Sequence, residues 1–134
     1  KEIISNKMIN DFLIISCIGN NDKIGLKINN KFFIHNFQTK IQNNEKLVST
    51  ILNLINQHKV NINENFSVLV NSGPGSFSSV RIAISVAKGI RLSKNARLFG
   101  YKNSDLPQFN LENIEILFKK KLIEKKLIKP LYLS

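Results

Sequence analysis

The chain has 134 residues, 43% of them hydrophobic, with 20 Lys and Arg against 9 Asp and Glu for a net charge of +11. That length suits one domain with a buried core, and no apolar run approaches the roughly 20 residues that a membrane-spanning helix needs. The single cysteine, Cys17, excludes an intrachain disulfide and, inside an apolar run, reads as a core thiol.

Residues 1–7 lack the basic start, apolar centre and cleavage site of a secretion signal, and Met8 reads as a natural start. A cytoplasmic protein with no membrane association is the expectation. Most of the positive charge is Lys scattered among Asn and Ile. Arg, the better fork for phosphate, occurs only at Arg81, Arg91 and Arg97. A generally basic surface fits this better than a dedicated nucleic-acid site.

Phe12 to Cys17 is continuously apolar, as in a central strand buried on both faces. Asn20-Asn21-Asp22 is a turn, and Ile24, Leu26 and Ile28 then alternate with Lys23, Gly25 and Lys27 as a half-buried strand. Asn29-Asn30 is a hairpin signal, because Asn tolerates positive φ. Phe32 to Phe37 returns as a third strand, completing an antiparallel meander. A helix follows from about Asn44 to His58, with Leu47, Ile51, Leu54, Ile55 and His58 on one face. His58 sits at its C-terminal end, where a positive charge suits the dipole, and reads as a cap-region residue.

The apolar run Val68-Leu69-Val70 leads through Gly73-Pro74-Gly75 into a second helix, about Ser78 to Ser93. Strand, turn, helix and strand (Arg97 to Tyr101) form a parallel crossover. On the second helix Ser79, Ala83 and Ala87 make a ridge of small residues at four-residue spacing, flanked by Ile82, Val86 and Ile90 on one side and by Val80 and Ile84 on the other. This apolar arc exceeds the roughly 100° that packing on one sheet requires. The second cover comes either from the first helix or from another protein. Ser104-Asp105 starts a short helix near Pro107. Asn113 to Lys129 is expected to form a charged C-terminal helix, stopped by Pro130, with Leu131-Tyr132-Leu133 as an apolar docking tail.

This succession matches an RNase H-like half-domain of the actin/Hsp70 type. The expected fold is α/β, with a mixed five-stranded sheet (the meander plus two parallel strands) and two long helices. Nuclease or ATPase chemistry on that fold needs carboxylates to hold a divalent metal. Ser16 stands where a first-strand Asp would be, and no acidic cluster can be assembled. His35 and His58 lack HxxxH spacing, so no metal site is expected, and there is no GxSxG elbow. GPGSFSS could cradle a phosphate at the helix start, yet no Gly-Lys-Ser/Thr follows it and Pro74 has no N–H. A tight strand-to-helix turn is the competing reading, with Phe77 either a core plug or an exposed anchor.

Gly73-Pro74-Gly75-Ser76-Phe77, then Ser78, Ser79, Arg81 and Ala83, resembles the GPGSFTGxRxG motif of the TsaB (YeaZ) family. Ala87-Lys88-Gly89-Ile90 is similar to that family's AKGL block, Phe99-Gly100-Tyr101 to its LxGV strand, and Pro130-Leu131-Tyr132-Leu133 to its C-terminal PxYLR. Ser16 departs from the family's strand Asp, and Asn43 or Asn44 from a His that often precedes the first long helix.

The resemblance implies a TsaB-like N-terminal lobe over residues 8–106 and a short remnant over 107–134, in a reduced member that has lost most of a second subdomain. It implies a scaffold without catalytic residues or cofactors, which serves the bacterial synthesis of threonylcarbamoyladenosine in tRNA. Its partner would be a TsaD-type catalytic subunit, held in a heterodimer through the two long helices. A TsaE-type ATPase would be a further partner, tRNA would be met only through the complex, and the chain alone could form a homodimer. The expected contact residues are Phe77, Ser79, Val80, Arg81, Ala83, Ile84 and Ala87 with Leu47 and Ile51; Gly73, Pro74, Gly75 and Ser76 form the motif turn. The competing function is a small nucleotide- or phosphate-binding enzyme module built on that turn.

Overall fold

The structure, a computed structural model, describes residues 11–38, 43–125 and 128–130. Its strands are β1 (Phe12–Ser16), β2 (Lys23–Ile28), β3 (Lys31–Asn36), β4 (Ser67–Asn71), β5 (Arg97–Tyr101) and β6 (Ile123–Glu124). The helices are α1 (Asn44–Gln57), α2 (Phe77–Lys94) and α3 (Leu111–Lys119), with a 3-10 turn at Asn103–Asp105. All six strands form one mixed sheet in the order β3-β2-β1-β4-β5-β6. β1, β2 and β3 are antiparallel, and β4 lies parallel to both β1 and β5.

The meander closes at Asn29 and Asn30, whose φ values of 51° and 72° are the left-handed geometry a two-residue hairpin demands. β1 is buried on both sides, since Leu13 and Ile15 face one layer while Phe12 and Ile14 face the other. On the first face α1 and α2 bury Leu47, Ile51, Val80, Ala83 and Ala87 against Leu13, Ile15, Val68 and Val70. On the second face α3 buries Ile114 and Leu117 against Phe12, Ile14, Leu69 and Phe99. Fully burying one such side chain contributes about 1.5–3 kcal/mol.

α1 starts at Asn43, whose side chain accepts from the Lys46 N–H at 3.2 Å, and ends at His58. The His58 ring stacks on Phe33 with centroids 3.9 Å apart.

The C-terminal segment differs from expectation. The charged helix ends at Lys119, well short of Lys129, and a sixth strand joins the sheet. Lys121 adopts φ 55°, and the Leu122 N–H returns to the Leu117 carbonyl at 2.9 Å, which closes the helix. Ile123 then pairs opposite Tyr101, antiparallel to β5. Lys119, Lys120 and Lys121 are exposed, as a solvated face should be. The tail Leu131 to Leu133 and the start at Met8 lie outside the described residues.

Candidate functional site

The turn between β4 and α2 is held from three directions. Gly73 takes φ 105°, closed to most side chains, and its N–H donates to Asn71 Oδ1 at 2.9 Å. The Ser72 N–H and Oγ both donate to the Tyr101 carbonyl, at 2.9 and 3.0 Å. The Ser76 N–H donates to the Ile18 carbonyl at 2.9 Å, tying the turn to the end of β1. Gly75 needs its missing side chain for room rather than for φ, because a Cβ there would lie 2.5 Å from Ile18 Cβ and 2.8 Å from Ile18 O. Ser76 then caps α2 by accepting from the Ser79 N–H at 3.4 Å.

Behind the turn Asn71 is 1% exposed and acts as a crosspiece. Its amide donates to Ser16 Oγ at 3.2 Å and to Asn103 Oδ1 at 3.0 Å. Ser16, at the position of the strand Asp in the resembling family, is thus engaged with an amide. Burial pushes the Tyr101 phenol above its ordinary range, while neighbouring Ser16 and Asn71 act the other way. Its hydroxyl reaches no partner in hydrogen-bonding geometry among the described residues. The Gly73 and Ser76 N–H groups are both satisfied inside the fold, and Pro74 has none, so a phosphate at this turn would find few donors.

α2 is where the expected contact set divides. Ser79, Val80, Ala83 and Ala87 are fully buried, and Ile84 nearly so. Leu47 and Ile51 on α1 are buried as well. The ridge expected to receive a second helix receives the sheet instead, because its flanks Val80, Ile84 and Val86 are the most apolar part of the helix. Phe77 and Arg81 are the exposed members. Phe77 is 58% exposed and so is not a core plug, and the Arg81 guanidinium lies 4.9 Å from its ring centroid.

A row that the sequence reading passed over stands open instead. Ser85, Gly89 and Ser93 are all exposed, and a Cβ at Gly89 would meet nothing within 4 Å among the described residues. They line one wall of a groove of about 540 Å³, whose other wall is Val48, Ile51, Leu52 and Ile55 of α1. Val48 and Leu52 are 37% and 50% exposed. The missed signal was a second set of small residues at four-residue spacing on the same helix. Among the described residues no group of three or more His, Cys, Asp or Glu is placed to hold a metal ion, and no helix is long and apolar enough to cross a membrane.

A meander followed by two parallel strands, with two helices on one face and a third on the other, defines an RNase H-like α/β lobe. Solved structures share it, among them the following two. "YeaZ from Pseudomonas aeruginosa" superposes with a TM-score of 0.61 at 20% identity over 73% of this chain and 45% of its own. A structure described as an uncharacterized protein with similarity to peptidase YEAZ from Pseudomonas aeruginosa gives 0.63 at 19% identity, over 73% and 44%. The family model for TsaD, tRNA N6-adenosine threonylcarbamoyltransferase, matches residues 38–103. The tRNA threonylcarbamoyladenosine biosynthesis protein TsaB of Buchnera aphidicola subsp. Baizongia pistaciae is 40% identical over 63 residues, 46% of this chain and 28% of that protein. The chain is thus similar in sequence to a TsaB protein and to the TsaD family model, and shares its fold with the YeaZ structures. It spans under a third of the curated relative and under half of each solved structure.

Proposed function

We propose that this chain is a non-catalytic pairing lobe in the synthesis of threonylcarbamoyladenosine in tRNA, and that it docks a TsaD-type catalytic subunit as a heterodimer. The open groove between α1 and α2 carries the proposal. It exposes Val48 and Leu52 to solvent beside Gly89, which is the kind of apolar, small-residue surface that a partner helix covers. A glycine inside a helix is unfavourable by roughly 1 kcal/mol relative to Ala, and among the described residues nothing crowds this one. Close approach by another molecule gives it a purpose.

Of the expected contact residues, Ile51 lines the groove, while Phe77 and Arg81 are exposed on α2 outside it. Leu47, Ser79, Val80, Ala83, Ile84 and Ala87 support it from beneath. The non-catalytic part rests on Ser16, which accepts from Asn71 where a metal-binding carboxylate would be needed. Contact with tRNA is then indirect, a TsaE-type ATPase is a further partner, and self-association of the isolated chain uses the same face.

Size-exclusion of the chain mixed with the TsaD-type subunit from the same genome tests this. Wild type should co-elute, and Leu52→Glu should not, with an unchanged melting temperature because Leu52 is half exposed. Separate elution of the wild type, or calorimetric binding of ATP to the chain alone, would overturn the reading in favour of a nucleotide-binding module.

A further inference from the structure

We infer that the outward face of α2 recognises an acidic helix, one that carries carboxylates between two apolar anchors. The inference rests on the proposed pairing for the identity of the partner but not for the chemistry of the surface. At 100° per residue, Phe77, Arg81, Lys88 and Leu92 fall within a strip about 60° wide. Phe77 and Leu92 are 58% and 82% exposed. They stand about 22 Å apart along the axis, with the two cations between them.

The charge of this strip is unanswered within the two helices. α2 contains no Asp or Glu in its 18 residues, and α1 contributes only Glu45. The helix dipole accounts for the cations of the last turn, Arg91 and Lys94, which oppose the negative end. It gives no reason for Arg81 and Lys88, which lie outside that turn. Arg81 is held in place over Phe77, so part of the entropy of ordering it has been met before any partner arrives.

A phosphate backbone would also answer two cations, but it would leave the anchors unused. Leu92 is the most exposed large apolar side chain among the described residues, and at 100° per residue the strip lies next to Ser85 and Gly89, which line the apolar groove. Apolar ends around a charged middle match the amphipathic face of a protein helix. Arg81 and Lys88, about two turns apart, call for carboxylates at the same spacing, about seven residues.

The test is calorimetry at low and high salt with three probes: the TsaD-type subunit, bulk tRNA, and a helical peptide of about 20 residues. The peptide has Leu at both ends and Glu at the two facing positions, and its twin has Lys there. Wild type should bind the subunit and the Glu peptide more weakly as salt rises, and the Lys twin not at all. Arg81→Glu with Lys88→Glu should weaken binding at least about tenfold, and Arg81→Gln with Lys88→Gln less. Thermal melting confirms that each double variant is folded. Undiminished, salt-independent pairing of the Glu variant overturns this inference while leaving the pairing intact. Binding to the Glu peptide without binding to the subunit overturns the partner and keeps the inference. Binding to tRNA that the Glu variant loses, with no peptide binding, overturns it in favour of nucleic acid.

Discussion

α2 carries two rows of small residues, and they meet opposite fates. Ser79, Ala83 and Ala87 are sealed against the sheet, whereas Ser85, Gly89 and Ser93 stand open on the groove. The two differ in their neighbours. The sealed row has branched apolar side chains on both flanks, so burying it buries them too. The open row has apolar residues on one flank and, on the other, the strip in which Arg81 and Lys88 stand with the exposed Phe77 and Leu92, a side that stays in solvent. Small size permits close approach; the flanking residues decide what approaches.

The harshest way to break this comparison is Ala83→Arg, which forces an unpaired guanidinium beneath the sheet. A loss of about 3–5 kcal/mol is expected, enough to abolish the folded-state circular dichroism signal. A melt like that of wild type would show that the row is not sealed. Gly75→Val tests the contact that sets the start of α2, since its Cβ would collide with Ile18. Overpacking of this kind costs about 1–3 kcal/mol, read as a lower urea midpoint at unchanged slope. On the open row the sign reverses. Gly89→Ala should raise stability by about 0.5–1 kcal/mol through helix propensity while weakening pairing, and tighter pairing would contradict a close approach there.

The smallest effect is chemical. Burial holds the Cys17 thiol above its ordinary pKa, with Asp22 adding to the shift. It should resist thiol reagents in the native state, whereas Ser85→Cys should label at once. Its folded pKa is raised, so its share of stability is complete below the ordinary thiol range and declines as pH rises through it. Denaturation midpoints on either side of that range, with Cys17→Ala as control, measure the decline.

Much of this fold was legible because its cues are local. FLIIS has no polar residue before Ser16, Asn29-Asn30 fixes the hairpin, and Asn43 and Ser76 cap their helices with their own side chains. The orientation of α2 was not legible. Its apolar arc exceeds what one sheet covers, and periodicity alone does not say which part meets the sheet. The end of the chain failed for a related reason. β6 is two residues long and exists because Ile123 finds Tyr101, a partner 22 positions away whose influence leaves no repeat in the local sequence. At the site, GPGSF announced the turn, but Asn71 as its crosspiece was invisible, since an Asn ending a strand has no period to betray it.

The tie between Ser76 and Ile18 has a consequence for recognition kinetics. With that bond made and Gly75 seated against the end of β1, α2 has little freedom to swing on the sheet. A visitor would therefore meet a finished surface and lose little time waiting for it to form, so encounter should be limited by collision and steering rather than by rearrangement. Stopped-flow association that stays linear in partner concentration, together with slow amide exchange at Ser76, is the behaviour such a pinned helix should display.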